Sequence, residues 1–333
     1  MVPDVEEASS KVVQEEPGED HNQSVQFNRS SSDSGPRSLK NRQVDMMQKL
    51  RGNPTVSVET MRSPSLWQQL LAEIVGTTIY VAFGLSAVSA ATVAGALDGM
   101  WQVLVIWAIS IAMGIISSIS ISGGHLNPAI SFTFALLRPE LFPWWKVVPY
   151  WIAQLIGGML GGGMNYLAYG TAITAVEKSY GIVRGQPGSE LTASLFHGLY
   201  PSPASLLNTE LGWSENTVTA GGAFGVEFFG SAFLVFIVFT LMDPRNHLHL
   251  SGGCIAFTIG LSVAVLGCIY APLEGLGINP ARDLGPRIVA YSLGWGEIAI
   301  PGPNNSMWIW IIAPMLGGPV GGIFYDWIYT HGL

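Results

Sequence analysis

Charged residues are scarce in this sequence: Asp, Glu, Lys and Arg together make up 11% of its 333 residues. Hydrophobic residues make up 49%, and the mean hydropathy of +0.38 is high for a water-soluble domain. This balance predicts a membrane protein. The net charge is −8, and the sequence has no basic stripe with interleaved aromatic residues, so we expect no nucleic-acid partner.

Cysteine is rare as well, and the two that occur, Cys254 and Cys268, both lie in apolar sequence. This context favours small buried side chains over a disulfide or a metal site. The sequence also lacks a nucleophile paired with a base, metal-ligand spacing and a phosphate-binding loop. We therefore expect no enzyme activity, no cofactor and no metal.

Large apolar residues are few in the segment 1–64, which is rich in Ser, Glu, Asp, Asn and Gln. The segment also lacks the basic start and the apolar core of a cleaved signal peptide. Eight of the 15 Lys and Arg residues of the chain precede Leu66. The composition predicts a disordered cytoplasmic N-terminal tail over residues 1–64 and a transmembrane domain over residues 65–333.

Long apolar runs are abundant beyond the tail, and six of them are long enough to cross a bilayer as helices. They cover about Trp67 to Ala90, Trp101 to Ser122, Trp145 to Ala175, Ala220 to Met242, Gly253 to Ala271 and Trp308 to Tyr329. Two further apolar pieces of about ten to fourteen residues are too short to span ~30 Å of hydrocarbon, and they predict re-entrant half-helices. Lys and Arg in the short connections place both termini on the cytoplasmic side.

The two halves of this apolar region repeat one another. Glu73 and Glu227 stand 154 positions apart in similar sequence, and the tripeptide Asn-Pro-Ala recurs with its Asn residues 152 positions apart. Doubled small-xxx-small glycine patterns in the third and sixth predicted helices suit close helix contact in lipid. Because each half holds three crossings, the second half, about 218–329, runs upside down relative to the first, about 66–176.

Each Asn-Pro-Ala tripeptide is suited to begin a half-helix, because Asn caps, Pro has a preset φ and Ala propagates the helix. Inverted repeats bring both helix N-termini to the membrane midplane. There the free Asn NH₂ groups can donate to a passing oxygen, and the partial positive charge of the helix ends repels protons and cations. The residues of this predicted site are Asn127, Pro128, Ala129, Asn279, Pro280 and Ala281.

Glycine precedes both tripeptides and suits irregular backbone that lines a water-filled path with carbonyl oxygens. The alternative, that these glycines serve tight turning alone, is compatible with the same fold. His125 is expected to order the first loop, with a pH-dependent gate as the alternative. The predicted loop residues are Gly123, Gly124, His125, Gly275 and Gly277.

The stretches SGGHLNPA and GINPARDLGPR resemble the two Asn-Pro-Ala loops of the aquaporin and glycerol-facilitator channels. The resemblance covers roughly Leu66 to Tyr329 and includes the paired glutamates. It implies an all-α membrane protein of six transmembrane helices and two re-entrant half-helices in an inverted-repeat, aquaporin-like fold. It also implies a passive channel that forms a homotetramer in a lipid bilayer, with the plasma membrane as the expected location.

By position, the resemblance implies a narrow selectivity filter of Trp107, Gly267, Leu276 and Arg282. Arg282 also stands out by itself, because an Arg near the membrane interior costs at least ~2.5 kcal/mol and should therefore face water or a partner. In the family, such an Arg and the half-helix dipoles exclude protons and cations.

The resemblance further implies that Glu73 and Glu227 accept hydrogen bonds from the backbone of the pore loops, and Asp283 is grouped with them as a loop support. An alternative is that the two glutamates carry protons in a coupled carrier. Both possibilities follow from carboxylates placed within apolar helices.

Water-selective members of the family resemble one another in having Phe and His where this chain has Trp107 and Gly267. We therefore expect a wider channel for glycerol, other small uncharged polar solutes and water that excludes protons and ions. Leu276 departs from the aromatic residue that glycerol-conducting members usually carry. A water-selective channel, a coupled secondary transporter and a membrane protein that conducts nothing are the alternatives.

Overall fold

The computed structural model describes residues 63–207, 211–248 and 250–331, and within these ranges it contains helices and no strand. The predicted tail, 1–64, lies outside the described residues except for its last two positions, so the tail stays a prediction.

Eight helices of ten or more residues form the architecture of the described part. They are α1 (Leu66–Ala94), α2 (Met100–Ser122), α3 (Pro128–Leu137), α4 (Val147–Tyr180), α5 (Ala220–Met242), α6 (Gly252–Glu274), α7 (Pro280–Ala290) and α8 (Ile309–His331). The two short ones, α3 and α7, have 10 and 11 residues and begin at the two Asn-Pro-Ala tripeptides. The predicted fold class of six long helices and two half-helices is confirmed.

Among the described residues, five helices are long and apolar enough to cross a membrane by length and composition. The remaining long helix, α4, has 34 residues, but its glycines, Gln154 and Asn165 reduce its hydropathy. Both of these polar side chains are buried between helices, so α4 presents them to the protein interior.

Short helical turns occupy the connections. They are Trp144–Lys146, Glu190–Ala193, Pro203–Leu207, Tyr291–Trp295, Gly296–Ile298 and Pro303–Trp308. The connection between α4 and α5 contains two of them, and its Leu195 and Phe196 are fully buried in a cluster with Trp295. This connection is therefore packed against the protein, a point that matters for the site below.

Polar caps and glycines set the helix ends. Ser65 begins α1 in a capping box with Gln68, and Ser251 caps α6 by accepting a hydrogen bond from the Cys254 N–H. Gly123 and Gly275 end α2 and α6 in the left-handed region, at φ 93° and 90°. The chain thus turns sharply just before each loop that leads into a half-helix.

Glycines in α4 and α8 allow the two halves to interlock. A Cβ on Gly158 would lie 2.3 Å from the Ala281 carbonyl oxygen, so α4 of the first half packs directly on α7 of the second half. A Cβ on Gly318 would lie 2.7 Å from the Thr133 hydroxyl, so α8 packs on α3 in the same way. The close contact predicted from both glycine patterns is confirmed.

Large apolar side chains cover the outer faces of the long helices; Trp67 and Leu167, for example, are 81% and 87% exposed. Cys254 and Cys268 are also exposed, on α6, so the prediction that they are buried is wrong. The physical reason is that lipid accepts the same side chains as a protein core. Apolar context therefore does not indicate burial in a membrane helix.

Candidate permeation pathway

The two half-helices begin with the same side-chain cap. Asn127 lies in extended conformation before α3, and its Oδ1 accepts a hydrogen bond from the Ala129 N–H at 2.9 Å. Asn279 does the same for Ala281 at 3.0 Å and also for Arg282 at 3.3 Å. Each Pro follows at the first helical position, where its missing N–H needs no partner.

The amide groups of the two asparagines bind the opposite loop. Asn127 Nδ2 donates to the Ile278 carbonyl oxygen at 2.9 Å, and Asn279 Nδ2 donates to the Leu126 carbonyl oxygen at 2.8 Å. Asn279 Nδ2 donates in addition to the Tyr80 hydroxyl at 2.8 Å. Each NH₂ group thus gives one hydrogen to the opposite loop, and Asn279 gives its second hydrogen to Tyr80, whereas these bonds leave the second amide hydrogen of Asn127 available to a solute.

Buried glutamates hold both loops by their backbone. Glu73 accepts from the N–H groups of His125 and Leu126 at 3.0 and 2.7 Å. Glu227 accepts from the N–H groups of Gly277 and Ile278, the latter at 2.7 Å. Both carboxylates are fully buried. The geometry is that of loop supports, since each carboxylate satisfies two amides that lie outside any helix.

The loop backbone repeats in the two halves even where the residue type changes. Gly124 and Leu276 are equivalent positions with φ of 63° and 41°, and Leu126 and Ile278 are equivalent with φ of 52° and 44°. Three apolar residues thus adopt the left-handed region that normally favours glycine. Gly277 is needed for a different reason, because a Cβ there would lie 2.7 Å from the Trp310 ring.

His125 packs into the first loop. Its Nδ1 lies 3.1 Å from the Ser131 hydroxyl, and its ring centroid lies 4.5 Å from that of Phe142 and 5.0 Å from that of Phe134. The side chain is thus fixed on one side by a polar contact and on the other by aromatic rings, which fits the ordering role that the sequence predicts.

A cavity of about 1990 Å³ passes between the half-helices. Its wall includes side chains from both repeats, namely Tyr80, Leu104, Trp107, His125, Asn127, His197, Leu276, Asn279 and Arg282. The lining also includes Arg138 and Asp243, which directly follow α3 and α5, and Val176 and Gly188 near the C-terminal end of α4. Hydrogen bonds from Arg245 lower the pKa of Asp243 to about 2, so this carboxylate is charged at neutral pH.

Three of the four predicted filter residues line the cavity, and two of them are in contact. The Arg282 guanidinium carbon lies 4.8 Å from the Trp107 ring centroid, and Leu276 lines the same cavity. Arg282 is only 7% exposed, and its Nη1 has no hydrogen-bond partner within the described residues. An unpartnered buried donor of this kind is suited to bind a polar solute.

Gly267 is the fourth predicted filter residue, and it lies against Leu104. A Cβ on Gly267 would come within 2.7 Å of Leu104, which lines the cavity, whereas Gly267 is absent from the described lining. Leu104 stands one helical turn before Trp107 and therefore shares its face of α2. The space that the glycine leaves is filled by this leucine.

Asp283 contacts the connection between α4 and α5. Its carboxylate forms a fully buried ion pair with Arg287 at 2.8 Å and accepts a hydrogen bond from the Gly198 N–H at 2.8 Å. Arg287 Nη2 donates to the Gly198 carbonyl oxygen at 2.9 Å. Asp283 thus fastens the connection between α4 and α5 to α7.

Sequence reasoning missed three residues of the site: Tyr80, His197 and Glu274. Tyr80 lies two helical turns after Glu73 on the same face of α1, a spacing that could have indicated it. Glu274 accepts from the Leu276 N–H at 2.9 Å and from the Trp310 indole at 2.7 Å, and a carboxylate at the end of an apolar run was its signal. His197 lies in an irregular connection, where no sequence pattern indicated a role for it.

A bundle of long apolar helices around a cavity that passes two opposed half-helix N-termini defines an integral membrane protein with the architecture of a channel. The sequence matches the family described as Major intrinsic protein over residues 60–325, and the chain belongs to this family. The resemblance seen in the two Asn-Pro-Ala loops is confirmed.

Several relatives are similar along most of the chain. The chain is 34% identical over 269 residues to the glycerol uptake facilitator protein of Haemophilus influenzae, covering 81% of this chain and 95% of that protein. It is 35% identical over 271 residues to the propanediol uptake facilitator PduF of Citrobacter freundii, covering 81% and 94%.

A solved structure shares the fold. The X-ray structure of the aquaglyceroporin from Plasmodium falciparum superposes with a TM-score of 0.66 at 22% sequence identity, covering 79% of this chain and 96% of that chain. At this level of sequence identity, the similarity shows a shared fold alone.

Proposed function

We propose that this protein is a passive channel for glycerol and other small uncharged polar solutes, and for water, and that it excludes protons and ions. The observation that carries the proposal is a cavity that passes both half-helix N-termini and the contact between Trp107 and Arg282. Relatives named as uptake facilitators for glycerol and for propanediol support the same class of solute. Permeation of this kind forms and breaks no covalent bond, so the protein is not an enzyme.

The wall of the narrow part matches the two edges of a polyol. Leu104, Trp107 and Leu276 offer apolar surface to the carbon chain, and Arg282 offers hydrogen-bond donors to the hydroxyls. A solute that enters loses its hydrogen bonds to water, and the barrier stays low only where the wall replaces them. A slot with one apolar and one polar side does this for glycerol.

Exclusion of cations follows from the charges that the cavity passes. Each half-helix presents roughly +0.5 charge at its N-terminus, and both N-termini meet at the crossed asparagine bonds. Arg282 adds a full positive charge close by. A proton or metal cation therefore meets repulsion at the narrowest place, while a neutral solute does not.

The coupled carrier is disfavoured by the surroundings of its two candidate carboxylates. Glu73 and Glu227 are fully buried, and neither belongs to the described lining of the cavity. Each already accepts two loop amides. A proton relay needs carboxylates that reach the transported path.

A water-selective channel is the second candidate, and Leu104 is the observation that favours it. This side chain fills the space beside Gly267 and narrows the slot that the glycine was expected to widen. The two candidates differ in one measurable quantity, the ratio of glycerol permeability to water permeability.

We further propose that the channel assembles as a homotetramer in the plasma membrane with both termini cytoplasmic. The family resemblance supports the tetramer, and the positions of Arg138, Lys146 and Arg245 in short connections support the orientation. Chemical crosslinking in native membranes tests the tetramer. Labelling of a single cysteine at Asn246, in a chain whose own cysteines are changed to serine, tests the orientation.

Stopped-flow light scattering on proteoliposomes tests the function. We expect glycerol and water flux above that of empty liposomes, without saturation as the glycerol gradient rises. A proton gradient should neither drive glycerol movement nor collapse through the channel. Water flux without glycerol flux would select the water channel, saturation with response to a proton gradient would select the carrier, and no flux would overturn both channel proposals.

A further inference from the structure

Two buried nitrogens of opposite hydrogen-bonding character line the same cavity without a partner. Within the described residues, five buried side chains have an unpartnered polar atom: Thr77, Gln154, His197, Ser231 and Arg282. Of these, His197 and Arg282 are the two that belong to the described cavity lining. Arg282 Nη1 is a donor, and the free atom of His197 is Nε2.

The character of His197 Nε2 follows from the other ring nitrogen. Nδ1 lies 3.0 Å from the Gly198 carbonyl oxygen, and because a carbonyl only accepts, Nδ1 carries the hydrogen. Burial, together with the charge of Arg287, lowers the pKa of His197 to about 3, so the ring is neutral at neutral pH. A neutral ring protonated at Nδ1 has a lone pair at Nε2, which is therefore an acceptor.

Both side chains are held by one half-helix. Arg282 belongs to α7, and the next residue, Asp283, accepts the N–H of Gly198, the peptide directly after His197. Arg287 donates to the carbonyl oxygen of the same Gly198. The ion pair between Asp283 and Arg287 is fully buried, so the histidine is fixed relative to the arginine.

We propose that His197 is a further specificity-determining residue of the channel, whose Nε2 accepts a hydrogen bond from a solute hydroxyl while Arg282 donates to that hydroxyl's oxygen. The inference rests on the proposed function, because it names how the same filter recognises its solutes. A hydroxyl both donates and accepts, so it satisfies the two free atoms together. The solute class is the neutral polyol, in agreement with the apolar surface that Trp107 gives to the same cavity.

Glycerol depends on this acceptor more than water does. A polyol that lies with its carbon chain against Trp107 has a fixed hydroxyl direction, so it cannot turn to another acceptor. A water molecule is free to turn and to donate to the loop carbonyls instead. Removal of the Nε2 acceptor therefore lowers the ratio of glycerol to water permeability.

Three variants in proteoliposomes test the inference. His197→Asn keeps a donor for the Gly198 carbonyl but has no acceptor at the Nε2 position, whereas His197→Gln places its amide oxygen there. Ser194→Ala is the matched control, because this hydroxyl lies in the same connection and already donates to the Leu191 carbonyl at 2.7 Å. We expect His197→Asn to lower the glycerol to water ratio about three- to tenfold, His197→Gln to restore most of it, and Ser194→Ala to leave it unchanged.

The other outcomes separate this inference from the proposed function. An equal loss of water and glycerol flux in folded His197→Asn would show a merely structural role and overturn the inference. An unchanged ratio in His197→Asn would overturn it as well, while glycerol flux through the wild type would leave the proposed function standing. A wild type that conducts no glycerol would instead contradict the proposed function itself.

Discussion

The two pore loops share a backbone but not a chemistry. At the third residue after the capping asparagine, the first loop has Ile130 and the second has Arg282, and at the next position Ser131 stands against Asp283. The loop φ angles nevertheless agree closely between the halves. The comparison teaches that the repeat preserves the backbone geometry of the two loops, while the charged residues Arg282 and Asp283 occur in the second half alone at these positions.

The supports of the loops differ in a related way. Ser122 accepts from the Gly124 N–H at 3.1 Å, and at the equivalent place Glu274 accepts from the Leu276 N–H at 2.9 Å. The glutamate reaches further than serine and also accepts from the Trp310 indole. The second loop is thus fastened to α8 as well as to the end of α6.

The largest effect is expected where the halves interlock, from Gly158→Ala. The new Cβ would lie 2.3 Å from a backbone oxygen of α7, whereas in Gly318→Ala it would lie 2.7 Å from the Thr133 hydroxyl. A side-chain atom shifts more easily than backbone, although this hydroxyl donates to the Ala129 carbonyl. We expect a loss of about 3 kcal/mol for the first and about 1 kcal/mol for the second. Thermal unfolding in detergent, followed by size-exclusion chromatography, measures both.

Gly163→Ala is the control for this pair, because a Cβ there meets no atom within 4 Å. The midpoint temperature of unfolding of Gly163→Ala should equal that of the wild type. Equal losses for Gly158→Ala and Gly318→Ala would mean that the two interlocks are equally tight.

The next largest effect concerns the buried carboxylates. Glu73 accepts from Ser122 and Gln154 in addition to two loop amides, so it has more donors than Glu227. In either glutamine variant, an NH₂ group replaces one carboxylate oxygen, so a donor faces a backbone N–H that is itself a donor. We expect Glu73→Gln to cost about 2 kcal/mol and Glu227→Gln about 1 kcal/mol.

The same thermal assay ranks the two variants, with Glu190→Gln as a control on an exposed turn. A greater loss for Glu227→Gln would show that the filter-bearing loop depends more on its carboxylate than the number of donors indicates.

The substitution Gly267→His should change the ratio of glycerol to water permeability more than it changes the stability of the protein. In Gly267→His the imidazole must displace Leu104 toward the cavity, because their atoms would otherwise overlap. We expect glycerol permeability to fall roughly tenfold, with a much smaller fall for water, because glycerol needs the full width of the slot. Stopped-flow measurements with both solutes give the ratio.

Gly253→His is the control, since that glycine has no neighbouring atom at the Cβ position and lies at the start of α6. An equal fall of water and glycerol permeability in correctly folded Gly267→His would remove this position from the determinants of selectivity.

The smallest effect is expected from Tyr80→Phe, which makes the two asparagines more alike. Asn279 loses the hydroxyl that takes one of its amide hydrogens and can donate it to a solute, while its bond to the Leu126 carbonyl stays. We expect permeability to rise about twofold. Stopped-flow measurement of the permeability tests this expectation, with Tyr291→Phe as a control at an exposed position. A lower permeability of Tyr80→Phe would show that the Tyr80 hydroxyl itself binds the solute.

The repeat is why much of the fold and part of the site could be predicted from the sequence. Equal backbone geometry needs equal caps and equal supports, so Asn127, Asn279, Glu73 and Glu227 recur at nearly one offset. Glycine in the small-residue patterns likewise indicated where helices meet. These features are local or periodic, and both kinds are visible in a single sequence.

The remaining residues of the site depend on contacts that no period encodes. His197 is brought to the cavity by an irregular connection through bonds to α7, and Tyr80 meets an asparagine 199 positions away. The packing of Leu104 beside Gly267 could not be predicted either, because a missing side chain does not reveal which neighbour takes its space. The repeat therefore identifies the residues that the two halves share, and it does not identify the residues that occur in one half alone.

The packing of α8 on α3 has a consequence for the order of synthesis. Thr133 belongs to the first half-helix, α3, yet the surface that covers it includes Gly318 of α8. While the ribosome is still making the second half, α3 has no such cover. The first loop is therefore made early and enclosed last, and a chain that stops before α8 would leave a short helix exposed to lipid, where quality-control proteases can recognise it.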